Sequence, residues 1–145
     1  MPIARATLET FVSPDDLKKV ILDFESYPEF MKEVARVEVL DRSPSAITAR
    51  FHVHVSFAGF DLDSSYTTRY AITKDTITWE LVESDSISKM SGRWALTETD
   101  DGECKAEYEA EVETNLAIPP EVQAAFVEES LPKLMEAFRD RAEDL

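Results

Sequence analysis

At 145 residues the chain is long enough for one domain with a full core and too short for two. Thirty acidic against fifteen basic residues leave a net charge of −15, which repels nucleic-acid phosphates and sets the chain against DNA and, less strongly, RNA as partners. No apolar run approaches the roughly 20 residues of a membrane helix, the single Cys104 cannot form an internal disulfide, and the N-terminus leads into a strand pattern without a signal segment, so a cytoplasmic location is expected.

Ile3 to Val12 reads as a first strand. Ser13 then suits an N-cap, Pro14 the first helical position, and Asp15 and Asp16 the positive end of the helix dipole. Leu17, Val20, Ile21 and Phe24 recur at helical spacing and define one apolar face. Ser26 with Glu29 three residues on reads as a capping box for a second short helix, Tyr27 to Lys32. From about Val34 the pattern turns to period 2, interrupted by turn signals at Arg42-Ser43-Pro44-Ser45, Ala58-Gly59, Lys74-Asp75, Ser84-Asp85-Ser86 and Asp100-Asp101-Gly102. These delimit six strands joined by short hairpins, seven with the first, all antiparallel. Pro119-Pro120 ends the sheet, and Glu121 to about Glu143 reads as one long helix with Val122, Phe126, Leu134 and Phe138 on one face. Pro132 should bend it. The expectation is a single α+β domain over residues 1–145.

The stretch Asp23-Phe24-Glu25-Ser26-Tyr27-Pro28-Glu29-Phe30, after the Ser13-Pro14 helix start, resembles the START-like (SRPBCC) superfamily in its coenzyme-Q-binding and polyketide cyclase/dehydrase-like branch. Gly92-Arg93-Trp94-Ala95-Leu96 and Leu131-Pro132-Lys133-Leu134-Met135-Glu136-Ala137-Phe138 also look like that branch, so the resemblance covers nearly the whole chain. It implies a helix-grip fold, with a seven-stranded curved antiparallel sheet wrapped around the long C-terminal helix, two short helices between strands 1 and 2, and a cavity between sheet and helix. It further implies binding, or transport, of a hydrophobic small molecule such as a lipid, quinone or polyketide. Two other readings come with it: a polyketide cyclase/aromatase-like enzyme, and a ribosome-association or other protein-interaction module.

Strand alternation assigns the inner face. By parity Phe51, Ser64, Tyr66, Thr68, Tyr70, Trp79, Ser88, Met90, Trp94 and Tyr108 face the helix, joined by Phe126 from the helix itself, and these are the candidate ligand-binding residues. The inner set carries hydroxyls among large aromatics and no charged group. A buried hydroxyl without a partner costs roughly 1–3 kcal/mol, so an apolar wall with polar handles suits a ligand better than a solid core. Tyr27 and Phe30 on the short second helix are the expected gate.

Chemistry beyond binding finds little support. His52 and His54 share an outward strand face with no third ligand at useful spacing, so no metal is expected. Cys104 beside a turn and isolated serines make no nucleophile–base set. With three glycines in total there is no phosphate loop or dinucleotide fingerprint, and no cofactor is expected. No catalytic residue is assigned. If a cyclisation occurred, Tyr66, Thr68, Tyr70 and Tyr108 would be the inward donors, with Arg50, Arg69 or Arg93 joining them only where a bulge broke parity.

Overall fold

The computed structural model describes residues 3–31, 33–57, 59–114 and 119–144. Lys32, the expected end of the second helix, and Ala58 of one turn lie outside the described residues.

Strand β1 (Ile3–Thr10) leads into helix α1 (Pro14–Leu22), a single 3₁₀ turn at Phe24–Ser26 and the short helix α2 (Tyr27–Phe30). Strands β2 (Val34–Arg42), β3 (Ala46–Phe57), β4 (Phe60–Ile72), β5 (Thr76–Ser84), β6 (Ile87–Glu98) and β7 (Cys104–Thr114) follow, and helix α3 (Pro120–Glu143) closes the chain. The strands form one antiparallel sheet in the order β1-β7-β6-β5-β4-β3-β2, so β1 and β2 are its edges. Consecutive strands from β2 onward are neighbours because the hairpins are short; Gly59 and Gly102 supply the positive φ that two of these turns need. This is the helix-grip arrangement that the resemblance implies.

The Ser13 cap is present: its hydroxyl accepts from the Asp16 N–H at 3.2 Å, and Leu17, Val20 and Ile21 are buried on the face the spacing defines. The capping box at Ser26 is not. Ser26 donates to Asp23 Oδ2 at 2.7 Å, and Glu29 pairs with Arg141 of α3 at 3.1 Å. A preceding carboxylate and a tertiary guanidinium win over the local reciprocal bond. Glu25 likewise pairs with Arg42 at 3.0 Å, so Glu25 and Glu29 staple the α2 corner to its neighbours.

Helix α3 lies on the concave side of the sheet against β1 and α1, with Met135, Phe138 and Ala142 buried. Pro132 sits inside it on the exposed side. On the convex side the glutamates of β7 meet bases from both neighbouring strands: Lys89–Glu111 and Arg5–Glu109 at 3.3 Å, and Arg93–Glu109 at 3.9 Å. Exposed pairs of this kind add little stability individually, but they relieve the repulsion along a one-sign stripe.

Candidate functional site

Alternation along β3 to β7 points a run of aromatic rings at α3. They touch in a closed circuit: Phe51, Tyr70, Trp79, Tyr108, Trp94, then Phe138 of α3 and Tyr27 of α2, which returns to Phe51. Neighbouring centroids are 4.9–6.3 Å apart, within reach of favourable ring–ring contacts. Tyr66 stacks on Phe51 at 5.2 Å. Gly92 makes the floor possible. A Cβ built there would lie 2.1 Å from the Trp79 ring, so only glycine lets Trp79 lie flat against β6.

The two ends of this interior differ. At the α1–α2 end Leu17, Phe24, Phe51 and Trp94 are sealed, and the Phe24 and Tyr70 rings close to 4.5 Å. Tyr27 belongs to that sealed end: it is buried, and its hydroxyl donates to the Ile21 carbonyl at 2.5 Å. Phe30 packs on Tyr27 and Phe138, with Arg141 over its ring at 5.4 Å. A buried hydrogen bond and flanking ion pairs hold this corner, which carries the expected gate residues Tyr27 and Phe30. Toward the other end Tyr66, Trp79, Leu81, Met90 and Tyr108 are half-buried and Val112 is 38% exposed, so the inner face is less covered there. Phe126 is half-buried on the first half of α3.

The hydroxyls divide into two groups. Ser64 meets the Ser86 hydroxyl, Thr114 donates to the Ser86 carbonyl at 2.7 Å, and Ser88 donates to the Glu113 carbonyl at 3.3 Å. Each of these is satisfied by the protein itself. Ser88 also departs from the parity expectation: a bulge between Ile87 and Lys89 makes it the extra residue, exposed, and Ile87 takes the place opposite Thr114. Ser86, buried at the strand start, was missed because it falls in a turn signal where alternation says nothing.

The second group lines the aromatic interior. Thr68 is fully buried, and its hydroxyl has no hydrogen-bond partner among the described residues. Tyr66 and Tyr108 are half-buried beside it, and among the described residues Thr68 alone has a buried side-chain polar atom without a partner. Desolvation pushes Tyr66 up to about 12 and raises Tyr70 and Tyr108 further, with Tyr66 adding to both; the Thr68 hydroxyl, near the Tyr70 hydroxyl but outside hydrogen-bond geometry, eases Tyr70 slightly. These phenols stay protonated across the physiological range and act as neutral hydrogen-bond donors.

The remaining candidates lie outside the interior. Arg50 bonds Thr67 and Glu83 on the outer face, and Arg69 and Arg93 border a solvated hollow there with Glu80, Glu109 and Glu111. His52 sits against Arg36 and Glu38; His54 lies between Asp61 at 2.7 Å and Asp63 at 2.5 Å. Cys104 is a buried free thiol that burial pushes up, the reverse of an activated nucleophile. A second crevice, of about 640 Å³, runs between β1 and α3. No helix is long and apolar enough to cross a membrane among the described residues.

Residues 12–139 match the family model described as polyketide cyclase/dehydrase and lipid transport. The ribosome association toxin RatA of Escherichia coli K12 is 28% identical over 145 residues, 99% of this chain and 87% of that protein. Among solved structures, the Zhui aromatase/cyclase of Streptomyces sp. R1128 superposes with a TM-score of 0.82 at 20% identity, covering 98% of this chain and 93% of that one. A STAR-related lipid transfer protein from Xanthomonas axonopodis superposes at 0.77 and 20% identity, covering 96% and 84%.

Proposed function

We propose, from the premise that the chain belongs to the polyketide cyclase/dehydrase and lipid transport family, that this protein binds an uncharged or weakly polar hydrophobic molecule between its sheet and α3. The observation that carries the reading is the orphaned Thr68 hydroxyl, fully buried among Tyr66, Tyr70 and Tyr108 in an aromatic wall. Such a group costs stability unless a ligand atom completes it. The ligand-contacting set is Phe51, Tyr66, Thr68, Tyr70, Trp79, Met90, Trp94 and Tyr108, with Phe126 beside the less covered end and Ser64 held back by Ser86. Access is from the half-buried end at Leu81, Met90 and Val112, not through α2.

Binding is favoured over turnover because inner-face positions of β3 to β7 carry no charged side chain among the described residues, and the phenols are too weakly acidic to serve as bases at neutral pH. RatA is named for association with the ribosome. A charge of −15 disfavours direct contact with ribosomal RNA here, and a basic protein partner is the form that reading would take.

The test is a tryptophan-fluorescence titration of delipidated protein with a water-soluble quinone and a medium-chain fatty acid. Saturable quenching of Trp79 and Trp94 is expected for at least one. Thr68→Val should raise the unfolding free energy of the empty protein by about 1 kcal/mol while weakening that ligand severalfold. The reading fails if no lipophile gives a saturable change, or if Thr68→Val leaves both quantities untouched.

A further inference from the structure

The sheet has two edges, and only one of them is blunted. β2 breaks register with β3 twice, between Val34 and Arg36 and between Val39 and Asp41, and carries Arg36, Glu38 and Arg42 in ion pairs. Bulges and edge charges are what keep a strand from pairing with other chains. β1 lacks the bulges: its eight residues register with β7 without a break, it holds no proline or lysine, and its only charges are Arg5 and Glu9.

Beside β1 lies the crevice of about 640 Å³, floored by Ala4, Ala6 and Leu8 and walled by Val127, Leu131 and Met135 of α3. The Thr10 hydroxyl donates to Glu143 at 2.7 Å, so α3 runs in the same direction as β1 and its last turns lie at the Glu9 end. A strand added to β1 would use the unpaired backbone edge and place alternate small apolar side chains under α3.

The outer face gives the addition a direction. Arg5 and Glu9 stand two positions on either side of Thr7. An antiparallel strand centred on Thr7 meets Glu9 first and Arg5 last, so it must run from basic to acidic. On the helix rim Glu136 and Arg139 carry opposite charges and cancel, so the order is set by Glu9 and Arg5 themselves. Arg5 already bonds Glu109 at 3.3 Å, and its guanidinium has donors to spare.

A second copy of this chain has the right charge order in its own β1 but the wrong shape. Paired strands lie about 4.8 Å apart, whereas two helices need about 8–10 Å between axes, and each copy would bring an α3 lying on its β1. Two charges of −15 would also be brought together. An extended segment with no covering helix fits.

We propose that β1 accepts, by antiparallel strand addition beneath α3, an extended peptide segment of a partner protein whose alternate residues run basic, polar, acidic from its N-terminal side, with small apolar residues between them.

The experiment is fluorescence anisotropy with two labelled peptides of equal composition. One carries lysine, valine, threonine, valine and glutamate in that order; the other has lysine and glutamate exchanged. The first should bind about tenfold more tightly, since two cross-strand pairs change from attractive to repulsive. The double variant Arg5→Glu/Glu9→Lys, which places like charges opposite Glu109 and Lys105 and is therefore checked for a cooperative melting curve and wild-type circular dichroism, should invert the preference. Equal binding of the two peptides, binding of neither, or a preference the double variant does not invert would overturn the proposal. So would sedimentation showing a wild-type dimer that Glu9→Lys dissolves, which would assign this edge to a second copy.

Discussion

Gly92 shows how one residue sets the shape of the site. Its position on the inner face of β6, opposite Trp79, would in any other residue carry a Cβ 2.1 Å from the indole and 2.9 Å from the Glu109 carbonyl. The carbonyl is backbone and cannot move far, so the ring must. Gly92→Ala should therefore lift Trp79 off the floor and break its contacts with Tyr70 and Tyr108, both now at 5.7 Å. Overpacking of this kind costs about 1–3 kcal/mol. The expected outcome is a lower urea midpoint with unchanged slope, a shifted tryptophan emission maximum and loss of ligand quenching. Retention of wild-type emission would show that Trp79 does not rest on Gly92.

At the scale of elements, the β3–β4 hairpin carries a titratable clasp on its outer face. His54 on β3 faces Asp63 and Asp61 on β4, and the hydrogen bond to Asp63, then the charge of Asp61, raise the imidazole pKa above 6.5. A raised pKa in the folded state contributes stability that is complete below 6.5 and is lost as pH rises through the folded value. Asp63→Asn should thus lower the His54 pKa, read from its imidazole proton resonance, and lower the melting temperature on the acidic side of neutrality only. A destabilisation independent of pH would assign Asp63 some other role. The same hairpins account for what was legible in the chain. Strand number and facing follow from turn residues and a period of 2, and parity correctly set Phe51, Tyr70, Trp79 and Trp94 on the inner face because their strands run unbroken at those positions. Ser88 escaped because a bulge is one inserted residue with no compositional mark. How Tyr27 is held was not legible, because its anchor, the Ile21 carbonyl, is a backbone atom that only the tertiary fold brings within 2.5 Å. The orphaned Thr68 hydroxyl could be suspected from parity, but its lack of a partner is a property of the packed interior.

For the whole molecule the governing fact is the imbalance of thirty acids over fifteen bases. The ion pairs are largely exposed, such as Arg5–Glu109 and Lys133–Glu129, and exposed pairs contribute little each. The acids they leave over repel one another across a small surface, and folding concentrates that repulsion. Two salt responses compete: screening weakens the pairs, which destabilises, and weakens the net repulsion, which stabilises. Repulsion acts over longer distances than contact pairs do, and the screening length falls from about 30 Å at 0.01 M salt to about 3 Å at 1 M. Net repulsion is therefore the larger loss, and added sodium chloride should raise the melting temperature by several degrees, most of it at low concentrations. The interior site contains no charge to screen, so affinity for an uncharged ligand should stay nearly constant over the same range. A melting temperature that falls with salt would mean the surface pairs dominate. A ligand affinity that drops steeply would place a charged group in contact with the ligand and contradict the neutral wall built by Tyr66, Thr68, Tyr70 and Tyr108.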